Sequence, residues 1–524
     1  MRNFQAPGRS AVLAENGICA TSHPLAAKVA IDILERGGNA MDAAIAGAVL
    51  LGICEPQSTG IGGDAFCLFS LPGSDEVRAL NASGRAPAGF DAEAARSKGA
   101  NIGLQSVDAI TLPGAVDGFC RLSEDHGRLG LPDILAPAIH YAEEGVPVAP
   151  RVAFDYARAA GTLWGAGEQH YLINGTPLTV GQKFRSPGQA EVLRQVAKHG
   201  RAGFYGGEVA RDMVQSLTAL GGLHSLEDFS NVRCDYTDPV SGTYGPVELL
   251  EHPPNGQGAT AILMLNMLSQ FDLAAMDPLG ADRAHIEAEV AKLAYDARDR
   301  FIADPAYMTE PDRMLSMETA KALAALIDPA RALPSSLPGA EAVHKDTVYI
   351  TVVDKDRMCV SMIYSIFHSF GSGLASEKYG ILFQNRGAGF TLEKGHPNEA
   401  APGKRPMHTI IPGMVRRNGR VEMPFGVMGG AYQPNGHARL LTNMEVFGMD
   451  AQSAIDAPRA FPEDGTLRLE TGYSQKVAQD LANRGHDLQW SDSPIGGAQA
   501  IRIRGDGVLE GASDPRKDGI ALGY

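Results

Sequence analysis

The first clear pattern along the chain is a pair of helices. Ala26, Val29, Ala30, Ile33 and Leu34 recur at helical spacing, so the pattern predicts a helix capped by Thr21 or Ser22 and ended by Gly37 and Gly38. Asn39 is placed to cap a second helix, with Asp42 three residues on to return the capping hydrogen bond. That helix runs through AAIAGAVLLGI, whose small residues allow close packing. A Gly-rich loop follows at residues 55–64 (EPQSTGIGGD), and AFCLFSL then reads as a strand. Further helices are expected at 134–144, 190–198, 208–220, 259–268 and 282–303, the fourth of them after the turn PPNGQG at 253–258.

From Asp346 the period changes from helical to two. Val348, Ile350 and Val352 alternate with Tyr349, Thr351 and Val353, residues 354–357 form a turn, and Met358 to Tyr364 returns as a second strand. A four-residue loop pairs Val353 with Met358 and Thr347 with Tyr364, which sets Ser365 beside Thr347 to within about one residue of register. Strands are also expected at 380–384, 407–411 and 421–425, and a helix at 436–446. Helices, then strands, then helices suggest layered sheets with helices outside.

Composition narrows the function classes. The 524 residues are 44% hydrophobic and 20% charged, with no linker, repeat or charge block, so one large domain is expected. A net charge of −15 without a basic stretch argues against a nucleic-acid partner. The six cysteines show no C-x-x-C spacing and read as small buried hydrophobes. None of the 14 histidines falls in H-E-x-x-H or another paired metal spacing, so no metal and no cofactor is expected. GIGGDA at residues 60–65 follows a helix and precedes a strand, the reverse of a dinucleotide-binding loop. PPNGQGAT lacks the Gly-Lys-Ser/Thr of a P-loop. The N-terminus has no apolar signal core, and the longest apolar run, 43–54, is far short of the ~20 residues that span a bilayer, so no membrane partner and a cytoplasmic location are expected.

Nine segments in order then resemble the γ-glutamyltranspeptidase family: CATSHPLAAKVAIDILERGGNAMDAAIA, STGIGGDAFCLF, TLPGAVDGF, AYDARDRFIADP, DTVYITVVDKD, FGSG, KRPMHTIIP, MGGAYQPNG and GASDPRKDG. The resemblance covers essentially the whole chain. It implies an α/β fold, a four-layer αββα N-terminal-nucleophile sandwich made as one precursor. It also implies cleavage between Asp346 and Thr347 into a large chain of residues 1–346 and a small chain of residues 347–524, and leaves open whether these pair further into a dimer.

The implied chemistry uses the Thr347 hydroxyl as nucleophile. A threonine hydroxyl needs a base, and cleavage would free an α-amine on the same residue with an unperturbed pKa of ~7.7–8. Before cleavage that nitrogen is an amide, so the precursor is expected to be inactive toward external substrate. Ser365 falls at the position that orients the threonine amine, and Gly429 and Gly430 match the backbone donors of the oxyanion hole. Without the resemblance, Thr347 reads as an ordinary strand threonine and Gly429-Gly430 as a turn.

The departures from the family concern substrate. Gly389 stands where members carry a carboxylate, and Arg386 where they carry glutamine or glutamate. Ser83 replaces an early arginine, with Arg85 two residues on. His408-Thr409 replaces a serine pair, Phe367 replaces a frequent asparagine, and the segment between Phe390 and Lys404 is short for a lid. A missing carboxylate leaves a substrate ammonium unpaired, whereas Arg386 favours a carboxylate. Arg386, Arg85, His408 and Thr409 are therefore the expected substrate contacts for a small amide whose acyl group ends in an anion and lacks the glutamyl α-amino group, as in oxamate. The rivals are a γ-glutamyltransferase or glutathione hydrolase and an uncleaved binding protein. Structural roles also suit two of these residues: an ion pair for Arg386 and a packed, hydrogen-bonded side chain for His408.

Overall fold

The structure, a computed structural model, describes residue 5, residues 8–334 and residues 347–524. Asp346, on the amino side of the expected cleavage point, lies outside the described residues.

Two seven-stranded antiparallel sheets face each other. The first runs Ile520–Gly523, Ile18–Thr21, Val348–Val353, Cys359–Ser365, Asp64–Ser70, Val77–Ala82, Asp235–Thr237. The second runs Val12–Ala14, Leu509–Ser513, Gly497–Ile503, Arg420–Met428, Pro412–Arg417, Val247–Glu251, Val240–Tyr244. Helices Pro24–Glu35 and Ala40–Cys54 cover the outer face of the first sheet. Helices Gly258–Leu268, Ala281–Phe301 and Gln433–Glu445 cover the second. This is the four-layer αββα order. No helix among the described residues is long and apolar enough to cross a membrane.

The period-two alternation of the hairpin now has a physical meaning. Val348, Ile350 and Val352 pack into the helix-side core, while Tyr349 and Val353 pack between the sheets with Phe66, Ile363, Met428 and Met414. Thr347 shares the parity of Tyr349 and so belongs to the inner face. Helix Ala40–Cys54 sets the depth of this strand, because a side chain at Gly47 would meet Ile350 Cδ1 at 2.4 Å. The helix begins with the expected capping box between Asn39 and Asp42, a device worth ~1 kcal/mol.

Several expectations are corrected. The first helix is capped by His23, whose side chain accepts from the Leu25 amide. Thr21 instead ends a strand and donates to the Tyr349 carbonyl at 2.8 Å. Val353 pairs with Cys359 rather than Met358, and Val348 with Tyr364. Arg357 takes a left-handed φ of 64° that adds a fifth residue to the loop. Residues 380–384 are not a strand; they fold back onto residues 372–376 with one bridge, Ala375 to Leu382. Residues 407–411 bond to other partners: His408 N–H donates to the Asn255 carbonyl, Ile411 N–H to Gln433 Oε1, and the Thr409 carbonyl accepts from Gln257. The strand starts only at Pro412. Of the six cysteines, Cys120 and Cys234 are only half-buried; all six are unpaired.

Candidate active site

Three adjacent strands converge at one end of the first sheet. Ser365 is the direct cross-strand partner of Asp64, and one step beyond the Val348–Tyr364 pair brings Thr347 to Ser365. The Thr347 and Ser365 hydroxyl oxygens are 3.2 Å apart, and both residues are buried. The expected neighbour relation therefore holds, and the one-residue change of register places the two side chains on the same face.

Ser365 Oγ is held from two further sides. It accepts from the Phe367 amide at 2.9 Å and from Arg386 Nη2 at 3.4 Å. Phe367 has a φ of 81°, an outlier for a bulky side chain and a conformation that clusters at functional sites. Its ring lies 4.0 Å below the Arg386 guanidinium, a cation–π contact that anchors the flat face of the cation. Arg386 Nη1 donates to Thr409 Oγ1 at 2.8 Å, and Arg386 Nε has no hydrogen-bond partner among the described residues.

Asp64 balances this cation. Its Oδ1 accepts from the amides of Gly84 (2.9 Å) and Gly114 (3.1 Å) and from Gln384 Nε2 (2.9 Å), and its Oδ2 accepts from His408 Nε2 (3.1 Å). Burial pushes the Asp64 carboxyl up to about 6, against the pull of Arg386 and of these donors. Burial likewise lowers the Arg386 guanidinium to about 9, while Asp64 raises it. Each ion is thus supported mainly by the other, as expected where solvent is excluded.

His408 is held well below its usual pKa by burial, then by the nearby cation Arg386. The imidazole is neutral. Its Nδ1 accepts from the Ile410 amide at 3.4 Å, so Nε2 carries the proton given to Asp64. Expected as a substrate contact, His408 has both ring nitrogens engaged inside the protein, and it orients Asp64.

Gly429 and Gly430 turn the chain from the strand Arg420–Met428 into the helix Gln433–Glu445, with φ values of 117° and 56°. A Cβ at Gly429 would lie 2.8 Å from Gly496 Cα, so the approach requires glycine. Gln257 ties this turn to the rest of the site. Its Nε2 donates to the carbonyls of Thr409 (2.6 Å) and Gly430 (3.0 Å), and its Oε1 accepts from Arg298. Contacts thus run unbroken from Thr347 through Ser365, Arg386, Thr409 and Gln257 to Gly430.

Arg85 stands outside that chain of contacts. Its guanidinium pairs with Asp304 at 3.2 Å and donates to the Gly403 carbonyl at 3.1 Å. Ser83 bonds to Asn81 Oδ1 at 2.6 Å and shares Asn255 with it. Sequence reasoning missed Asp64 and Gln257. A charged residue opening an otherwise apolar strand was the available signal for Asp64; Gln257 had none, because its partners are distant in sequence.

A threonine heading an inner strand of an αββα sandwich, with a serine hydroxyl against it, defines the N-terminal-nucleophile class of amide hydrolases. Within that class the chain belongs to the γ-glutamyltranspeptidase family, whose model matches residues 26–524. It is 34% identical to the glutathione hydrolase-like YwrD proenzyme of Bacillus subtilis (strain 168), over 98% of this chain and 99% of that one. It is also 34% identical to the oxamate amidohydrolase proenzyme of Klebsiella pneumoniae, over 98% of this chain and all of that one. Its fold matches a crystal structure of cephalosporin acylase from Bacillus halodurans with a TM-score of 0.91, at 36% identity, covering 100% of this chain and 99% of that chain. The protein is a hydrolase acting on amide bonds.

Proposed function

We propose that the chain is a self-processing amidohydrolase specific for small amides with a short, anionic acyl group, of which oxamate is the simplest. The observation that carries this reading is the position of Arg386: a fully buried guanidinium that touches Ser365, itself in contact with the Thr347 hydroxyl. A cation two hydrogen bonds from the nucleophile suits a carboxylate next to the scissile carbonyl. A γ-glutamyl group carries its carboxylate three carbons farther out and brings an ammonium with it. The buried carboxylate whose charge acts on Arg386, Asp64, already accepts four hydrogen bonds, so its oxygens are engaged where that ammonium would need them.

In the proposed sequence, Thr347 Oγ1 attacks the Asp346 carbonyl. The acyl group moves from nitrogen to oxygen, which breaks the peptide C–N bond and leaves the Thr347 nitrogen, with the hydroxyl proton, as a free amine; water then hydrolyses the ester, releasing the Asp346 carboxylate and restoring the Thr347 hydroxyl. In the mature enzyme that amine takes the proton from Oγ1 as the oxygen attacks the substrate carbonyl. The Gly429–Gly430 turn is the proposed donor to the oxyanion. The C–N bond then breaks, the proton passes to the leaving nitrogen, and water hydrolyses the acyl ester; oxamate would give oxalate and ammonia.

Steady-state assays of the mature protein on oxamate and on γ-glutamyl-p-nitroanilide test the substrate reading. A higher kcat/KM on oxamate is expected, and a clear preference for the γ-glutamyl compound overturns it. Mass spectrometry of the small chain tests processing, with Thr347 as the expected N-terminal residue.

A further inference from the structure

A second cluster of chemistry-bearing side chains lies on helix Ala281–Phe301. His285 and Glu289 stand one helical turn apart, and His486 faces them from the turn after helix Gln475–Asn483. All three are buried, and one donor atom from each lies within 4.8 Å of the others. His285 Nδ1 is 2.8 Å from His486 Nε2, and His486 Nε2 is 3.9 Å from Glu289 Oε1. His285 Nε2 faces the Asp328 carbonyl at 2.8 Å and so carries the proton. The Nδ1 lone pair is thereby aimed at His486, which is the outer-sphere arrangement that orients a metal-binding imidazole. Of the three, His486 also lines a cleft, together with Lys292, Asp328, Arg331, Leu333 and Arg484.

The geometry points to a site for a divalent transition metal of the Zn²⁺ type, bound by His285 Nδ1, His486 Nε2 and Glu289 Oε1, with solvent from the cleft as fourth ligand. Two imidazoles and one carboxylate are a ligand set that Zn²⁺ accepts. The two nitrogens must separate by roughly 0.5 Å to fit Zn–N bonds of about 2.0–2.1 Å. His486 changes tautomer, losing its Nε2 proton to solvent and taking one up on Nδ1, so the rings release no net proton. Lys292 Nζ, now 2.7 Å from Glu289 Oε1, gives up that oxygen and keeps the Leu333 carbonyl at 3.3 Å. Glu289 Oε2 keeps the Leu333 amide.

The ligands come from both sides of the proposed cut: His285 and Glu289 from residues 1–346, His486 from residues 347–524. The same cluster fixes residues 328–334, the last described stretch before Thr347. In the mature enzyme the metal would be a clip between the two chains. That consequence rests on the proposed cleavage; the metal site itself does not, and binding is therefore read on the purified protein in either form.

The test titrates metal-stripped protein with Co²⁺. Saturable binding of one ion per molecule, with the strong visible absorption of a tetrahedral site, is expected in the wild type. Loss of at least tenfold in affinity is expected in His486→Gln and in Glu289→Gln. Lys292→Met should bind more tightly, because it removes the competing cation. Zn²⁺ should raise the melting midpoint of the wild type and leave that of His486→Gln in place, while amide hydrolysis by His486→Gln confirms that the variant is folded. No saturable Co²⁺ binding by the wild type, or binding of equal strength in folded His486→Gln, overturns the proposal.

Discussion

In the proposed mechanism Arg386 supplies charge and Thr347 nucleophilicity, and single substitutions separate the two. Thr347→Ala removes the attacking oxygen, so the expected product is one uncut chain without amidase activity, read on a denaturing gel. Ser365→Ala keeps the nucleophile but removes its hydroxyl neighbour, and a fall in kcat of about 10²-fold is expected, the usual reach of a group assisting proton transfer. Arg386→Lys retains the charge but not the planar fork over Phe367. Losing one charged hydrogen bond of about 1.5–3 kcal/mol raises KM for an anionic substrate by about 10- to 100-fold, with a smaller change in kcat. The pH profile follows from the same groups. The Thr347 amine acts as base only when deprotonated, so kcat rises through about 7.7–8. Arg386 binds an anion only when protonated, and it titrates at about 9, so KM rises above that pH. Because the Asp64 anion raises the Arg386 pKa, Asp64→Asn should move the KM limb to lower pH. An unmoved limb in the folded variant would show that Asp64 does not tune the arginine.

At the scale of elements, the sequence was most legible where a local rule decided the outcome. The Asn39–Asp42 capping box and the period-two run after Thr347 depend on residues a few positions apart, and both formed as read. The hairpin slipped by one residue because Arg357 adopts a left-handed conformation that favours glycine or asparagine and that no residue pattern announced. Residues 407–411 carry strand-like apolar residues, yet amide side chains from Gln257 and Gln433 take their backbone groups. Asp64 was hidden because its importance comes from a cross-strand pair with Ser365, and pairing between distant strands leaves no local trace. The loop before Asp64 offers a direct test of this packing. A Cβ at Gly63 would lie 2.3 Å from the Ser365 carbonyl oxygen and 2.9 Å from its carbon. Gly63→Ala must therefore displace the Ser365 backbone. A stability loss of about 1–3 kcal/mol in urea unfolding and slower appearance of the two chains are expected. Normal processing with unchanged stability would mean that the strand ends give way without cost.

Across the whole molecule, the proposed cut falls in a fold whose two products cannot simply part. Val348–Val353, from the small chain, lies between Ile18–Thr21 of the large chain and Cys359–Ser365 of the small. Ile18–Thr21 is itself enclosed on its other edge by Ile520–Gly523, a small-chain strand. The second sheet repeats the exchange: Val12–Ala14 pairs with Leu509–Ser513, and Pro412–Arg417 with Val247–Glu251. Separating the chains would expose the apolar inner faces of both sheets and exchange each inter-chain ladder hydrogen bond for one to water, at a net cost of about 0.5–1.5 kcal/mol apiece. The proposed cleavage would therefore free a terminus without freeing a subunit, and the new amine of Thr347 would stay where the sheet holds it. The mature protein is expected to run as one species in native size-exclusion chromatography. It should resolve into residues 1–346 and 347–524 only after denaturation, with no loss of activity on dilution. Dissociation of the native chains at low concentration, with activity falling in step, would show that strand exchange does not hold the site together.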